Sequence, residues 1–270
     1  RGPIGAGGAL LAGLATALAS LALAPDGLER AMARSHMQLP LALAAGVAVA
    51  LLVRYERRGR SSLLSRTALA EPAVHAGLAA GACVGGILYG CTAYVPLWII
   101  THGRGNGLMA GAMLVPLLVG WAMGSGFSVR MLVAHGMRAV TVAGFGVAFV
   151  GAAGLALVVA EAAPTTLALA SLWLLGGGLG AVAISSVLAP QSVVGWSDRG
   201  AVTSAVFAAR MLGGSLAVAA LGAIGREGQE AARFVGIAAV ALTGAALSAA
   251  LGPRGELRRA CGDAVEAAAE

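Results

Sequence analysis

Eight long apolar runs constrain the fold of this chain more than any other feature. Each approaches or exceeds the length of about 20 residues that a helix needs to cross a bilayer, and none contains Asp or Glu. They are continuous rather than alternating with period two, which excludes the strands of a membrane barrel. The sequence therefore predicts an all-α membrane protein with about eight transmembrane helices. The runs are residues 4–24, 37–53, 74–100, 108–129, 138–160, 165–190, 201–224 and 233–252.

Composition and charge agree with a membrane protein. Only 11% of the 270 residues are charged and 59% are hydrophobic, whereas soluble domains carry about 25% charged residues. All 18 basic residues are arginines, and they cluster at the ends of the runs. That placement is typical of membrane topology signals, so we expect contacts with membrane lipids and none with nucleic acid.

The arginines also predict an orientation. Twelve lie on the side of the first segment, the 54–73 connector and the tail, against five on the opposite side. Because cytoplasmic loops are enriched in Arg, we expect a multi-pass protein of the cell membrane with both termini in the cytoplasm. The basic connector at 54–73 is interpreted as a topology signal with a short amphipathic segment, or as a site for anionic headgroups.

Residues that would support catalysis are not found in the runs. The segment "AMGSGF" places Ser125 between glycines, but it lacks the flanking glycine and the buried histidine of an intramembrane serine protease. No phosphate-binding loop is present, and the cysteines lack metal-ligand spacing. We therefore expect no enzyme activity, no cofactor and no metal site.

Glycines recur through the runs at helical spacing. Such spacing puts a flat strip on one helix face and lets neighbouring backbones approach closely. Tight packing and a helix that bends during a transport cycle are both consistent with this pattern. The glycines assigned to helix packing are Gly81, Gly85, Gly120, Gly124, Gly177, Gly213 and Gly214.

Arg210 is the single charged residue between positions 201 and 224. At 1.5 Å per residue it lies about 13–14 Å into that run, close to the middle of a core about 30 Å thick. Two interpretations remain open. The side chain either reaches cytoplasmic headgroups or carbonyls near Pro190, or it faces a cavity as the partner of a substrate or a carboxylate.

Residues 179–222 resemble the late segment of the major facilitator superfamily, most closely its fourteen-helix drug/proton antiporter branch. In that branch an acidic-Arg-Gly turn precedes a helix with an Arg followed shortly by Gly-Gly. The corresponding residues here are 198–200, Arg210 and 213–214. The aromatic and glycine-rich stretch 94–126 is similar to that branch as well. In the cytoplasmic loop motif Gly136 and Arg138 match, but Val133 and Ala134 stand where Asp and Arg would be.

The resemblance implies an organisation for the whole chain. Residues 1–53 would form two extra central helices, 54–73 a cytoplasmic basic connector, 74–252 the six-helix C-terminal bundle, and 253–270 a cytoplasmic tail. The N-terminal six-helix bundle, which carries the proton-linked acids in this family, is missing. We therefore expect a C-terminal fragment whose other half is supplied by the same polypeptide or by a partner.

The resemblance further implies a secondary carrier that works by alternating access, exporting drugs or small metabolites by proton antiport. A non-transporting or inactive membrane remnant that serves as a scaffold, and an autonomous homodimeric half-carrier, are the alternatives. In the family the first, second, fourth and fifth helices of a bundle face the cavity. Their polar and aromatic residues are the substrate-cavity candidates: Tyr89, Thr92, Tyr94, Trp98, Trp121, Trp173, Gln191, Ser204, Phe207 and Arg210. The cytoplasmic gate and turn would be formed by Asp198, Arg199, Gly200, Gly136 and Arg138.

Overall fold

The computed structural model describes residues 65–102, 105–161, 163–164, 166–224 and 230–252. The predicted runs 4–24 and 37–53, most of the connector and the tail lie outside these residues. Within the described ranges every regular element is a helix and no strand occurs. The seven helices there are α1 (Arg66–Ala70), α2 (Pro72–Thr101), α3 (Gly107–Ala112), α4 (Val115–Val159), α5 (Thr166–Val193), α6 (Arg199–Ile224) and α7 (Glu230–Leu251).

Five helical stretches of the described chain are long and apolar enough to cross a membrane. This confirms the prediction of an all-helical chain with several segments that are apolar enough to span a membrane. Four of these stretches are α2, α5, α6 and α7, each close to a predicted run in its bounds. The fifth is Gly107–Val159, which combines α3 and α4 and covers two predicted runs.

Helix α4 changes direction at Gly136. A straight helix of 45 residues would be about 67 Å long, more than twice the thickness of a bilayer core. Gly136 has φ 79° and ψ 169°, a backbone region that is accessible almost only to glycine. The helical hydrogen-bond pattern therefore ends and restarts at this residue, and α4 consists of two halves.

The contacts with α5 show that the two halves are antiparallel. In the first half, Gly120 lies against the backbone of Trp173 and Gly124 against that of Gly177, so this half runs parallel to α5. The second half is antiparallel to α5, because residues that come later in this half contact residues that come earlier in α5. The pairs in the second half are Gly144 with Gly178 and Gly151 with Ser171.

The same alternation continues through the rest of the bundle. Helices α2 and α6 are parallel, since Gly81 meets Val206 and Gly85 meets Arg210. Helix α7 is antiparallel to the second half of α4. Its Gly244 lies against the ring of Phe145, and its Gly252 against the side-chain carbons of Arg138. Successive membrane-length segments therefore point in opposite directions, as short connections between spans require.

One end of the bundle contains Gly136, the α5–α6 turn and the start of α2, and we call it the inner end. The arginine distribution predicts that it is cytoplasmic. Here Ser65 caps α1 by accepting a hydrogen bond from the Ala68 amide at 3.1 Å. The buried side chains of Ala68, Val74, Val194 and Val202 form a small apolar cluster, which fixes the end of the predicted connector against the bundle.

Candidate functional site

Arg210 lies in the middle of α6 and is only 8% exposed. One terminal nitrogen, Nη2, donates to the carbonyl oxygen of Ala183 on α5 at 3.4 Å, a long hydrogen bond. The Nε atom is buried and has no hydrogen-bond partner among the described residues. The guanidinium carbon lies 5.0 Å from the ring centre of Phe207 and 5.8 Å from that of Trp121, distances at which a cation is attracted to an aromatic face.

A strip of glycines brings α2 next to this arginine. A methyl group at Gly85 would overlap the carbonyl oxygen of Arg210, and one at Gly213 would overlap that of Ala82. Gly214 leaves room for the ring of Tyr89. Gly85 and Gly213 let the two backbones approach more closely than side chains between them would allow, and Gly214 makes room for an aromatic ring.

No acidic side chain of the described residues accompanies Arg210 at its depth. Those present within the described ranges are Glu71, Glu161, Asp198 and Glu230, and all four lie at helix ends. An arginine keeps its charge in proteins. The site is therefore a buried cation with one long hydrogen bond and two aromatic neighbours, but with no opposite charge in this part of the chain.

Several predicted cavity residues lie near Arg210 or along the same helices. Trp121 and Phe207 contact its guanidinium, and Phe207 is 44% exposed. Tyr89 donates from its hydroxyl to the sulfur of Met211 at 3.1 Å. The Thr92 hydroxyl donates a hydrogen bond to the carbonyl of Tyr89, one turn earlier in α2, at 3.1 Å. These residues extend the polar and aromatic surface outward from Arg210.

Gln191 and Ser204 lie toward the inner end. Gln191 donates from Nε2 to the hydroxyl of Thr203 on α6, while Ser204 is exposed. Gln191 and Arg199 line one cavity of about 280 Å³ together with residues of the first half of α4, among them Leu132.

Three other predicted cavity residues lie elsewhere. Tyr94 donates to the carbonyl of Val218 at 2.6 Å and belongs to the packed core. Trp98 is 2% exposed in the same core, near the outer end of α2. Trp173 is 42% exposed on α5 and lines a different cavity, between α5 and α4. The structure does not bring these three side chains to Arg210.

The predicted gate residues form two separate features of the inner end. Asp198 precedes α6 and accepts a hydrogen bond from the Ser65 hydroxyl at 2.7 Å. The next residue, Arg199, lies over the ring of Trp196 at 5.3 Å, and Gly200 has open space around it. Gly136 and Arg138, by contrast, form the reversal of α4 and its contact with α7.

Sequence reasoning missed Met211 as a partner of the site, and it expected carbonyls near Pro190, whereas the carbonyl that Arg210 uses is that of Ala183, two turns earlier on α5. Met211 could have been found from helical spacing, because it lies four residues from Phe207 and three from Gly214, on one face of α6. The carbonyl carries no sequence signal, since any residue provides one and only the packing of α5 against α6 selects it.

No protein-family profile matches this sequence, and no curated protein matches it significantly. A functional assignment therefore depends on the residues and contacts of this chain.

Proposed function

We propose that this chain is the C-terminal part of a membrane carrier of the major facilitator type, which exports a small molecule by alternating access. The substrate path would be lined by α2, the first half of α4, α5 and α6. The resemblance around residues 198–214 and the alternating helix directions support this proposal. A second, N-terminal bundle would complete the path, and proton antiport would drive export.

The observation that carries the proposal is the buried charge of Arg210. A central arginine costs about 2.5–3.5 kcal/mol to insert into a membrane, and one long hydrogen bond does not offset that cost. Charged residues at this depth face a protein interior or a water-filled path and act on ions, protons or substrates. The aromatic side chains of Trp121 and Phe207 suit the apolar part of an organic substrate.

The opposite charge for Arg210 would then come from outside the described helices. An anionic group on the substrate is one source, and a carboxylate of the N-terminal bundle is the other. In both cases the interaction would exist only in some states of the transport cycle. A charge whose partner changes between states is suited to couple substrate binding to the motion of two bundles.

Efflux of a fluorescent dye from cells expressing the complete reading frame tests this function. We expect Arg210→Ala to reduce efflux at least tenfold, because the path loses its only buried cation within the described helices. Arg210→Lys keeps the charge but not the planar fork of donors, so an intermediate rate is expected. Thr243→Ala, an exposed position on α7, is the control.

Unchanged efflux by Arg210→Ala at equal expression would remove Arg210 from the substrate path. A complete reading frame that produces no efflux of any dye or metabolite would favour the non-transporting scaffold. The upstream sequence gives a further check, since the proposal requires six more spans that include a membrane-embedded Asp or Glu.

A further inference from the structure

A second cavity lies between α5 and the two halves of α4. The two halves of α4 both contact α5 through glycines, Gly124 at Gly177 and Gly144 at Gly178. They leave between them an opening of about 690 Å³, which we call the α4–α5 cleft. Its lining includes no residue of α2, α6 or α7, so it is separate from the contacts of Arg210.

The cleft is apolar over most of its length. Gly177, Gly178 and Ala181 form its floor on α5, and its rim carries large side chains such as Phe127, which is 63% exposed. Both bordering helices are apolar enough to span a membrane. At that depth no water is available to fill an opening of this size, so an apolar chain is the natural occupant.

One end of the cleft is basic. Among its described lining residues Arg130 alone is charged, and it is exposed. It lies six residues before the reversal at Gly136, about 9 Å along the helix, and so lies near the inner end. The arginine distribution places that end at the cytoplasmic leaflet, where anionic lipids accumulate. A guanidinium binds a phosphate group through parallel hydrogen bonds.

We propose that the α4–α5 cleft is a binding site for an anionic phospholipid of the inner leaflet. One acyl chain would lie along the glycine floor between the halves of α4, and the headgroup phosphate would pair with Arg130. The cleft is no more apolar than the surrounding bilayer. The acyl chain therefore contributes to binding through its shape and packing in the cleft. The preference for an anionic headgroup comes from Arg130.

Tryptophan quenching by brominated lipids tests the site in the purified full chain. The protein is reconstituted in phosphatidylcholine vesicles that contain either brominated phosphatidylglycerol or brominated phosphatidylcholine. Trp173 lines the cleft, and its signal is the difference between the chain and its Trp173→Phe variant. We expect phosphatidylglycerol to quench Trp173 with about fivefold higher apparent affinity, which corresponds to about 1 kcal/mol for one arginine near anionic lipid.

Two glycines of α4 provide a matched pair of variants. Gly126 and Gly146 are both exposed, and a methyl group at either would meet no atom within 4 Å. Gly126 lines the cleft and Gly146 does not. We expect Gly126→Leu to abolish quenching by both lipids, Gly146→Leu to leave it unchanged, and Arg130→Gln to remove only the phosphatidylglycerol preference.

Three results would overturn the proposal. Equal affinities for the two lipids in the unmodified chain would remove the role of Arg130. Equal effects of the two leucine variants would show that lipid does not occupy the cleft. If neither lipid quenches Trp173, another part of the chain covers the cleft. Arg130→Gln alone decides the headgroup claim if Gly126→Leu does not fold, and Thr243→Ala, at an exposed position on α7 that does not line the cleft, should leave all these signals unchanged.

Discussion

Arg210 and Gly85 lie at the same level of the α2–α6 contact, and each constrains the other. The carbonyl of Arg210 fills the space where a side chain of residue 85 would start. If α2 were displaced, the aromatic and polar surface of Tyr89 would move away from the buried cation. At the residue scale, Gly85 therefore fixes the position of Arg210, the residue that costs most to bury in a membrane.

A single methyl group tests this contact. Gly85→Ala forces two backbones apart, and overpacking of this kind typically costs about 1–3 kcal/mol. Gly146→Ala is the matched control, because open space surrounds that position and alanine in place of a helical glycine is neutral or stabilising by about 0.5–1 kcal/mol. Thermal unfolding in detergent should show a lower midpoint for the first variant only. Equal midpoints would contradict the close approach of α2 and α6.

At the element scale, Gly136 decides where one apolar stretch becomes two antiparallel segments. Sequence spacing predicted a break between 129 and 138, and the reversal falls at the glycine that matches the loop motif. The missing Asp and Arg of that motif, replaced here by Val133 and Ala134, are not needed for the reversal itself. The glycine is needed because of its positive φ.

Replacement of this glycine should therefore destabilise the hairpin. We expect Gly136→Ala to cost about 1–3 kcal/mol, the usual range for a residue forced into a sparsely populated backbone region. Thermal unfolding measures the loss, with Gly146→Ala again as the reference glycine in the same helix. A Gly136→Ala protein as stable as the reference would mean that the turn does not require positive φ.

The end of the connector is a second element-scale feature. Ser65 both caps α1 and donates to Asp198, so Ser65→Ala should loosen α1 by about 1 kcal/mol, or about fivefold in its opening equilibrium. In a background without native cysteines, Ser65→Ala should make maleimide labelling of Ala68→Cys, a buried position, about fivefold faster. Labelling of Thr67→Cys, which is already exposed, should not change; an equal change at both positions would indicate a wider disruption.

At the scale of the whole molecule, alternating helix directions place the α5–α6 turn and the end of α4 at opposite ends of the bundle. Ser197 and Ala160 are exposed at these two ends. With the native cysteines replaced, an impermeant thiol reagent should label Ala160→Cys in intact cells and Ser197→Cys only after permeabilisation. The reverse pattern would invert the orientation inferred from the arginines, and labelling of both in intact cells would contradict a membrane-spanning bundle.

The sequence by itself determined the all-helical class, the positions within the described residues of six runs apolar enough to span a membrane, and the isolation of Arg210. These follow from local physical chemistry, because a bilayer requires about 20 apolar residues per span and makes each embedded charge conspicuous. Glycine spacing also indicated which helix faces could approach closely. The bounds of α2, α5, α6 and α7 were within a few residues of the predicted runs.

Only the tertiary structure decided which predicted side chains meet. The rotation of each helix about its axis places Trp121 and Phe207 at Arg210, buries Trp98 in the core, and turns Trp173 into the α4–α5 cleft. In apolar helices of nearly uniform composition no amphipathic pattern fixes that rotation, since lipid-facing and core-facing residues are equally apolar. Contacts between glycine faces fix it instead, and they exist only once the helices have packed.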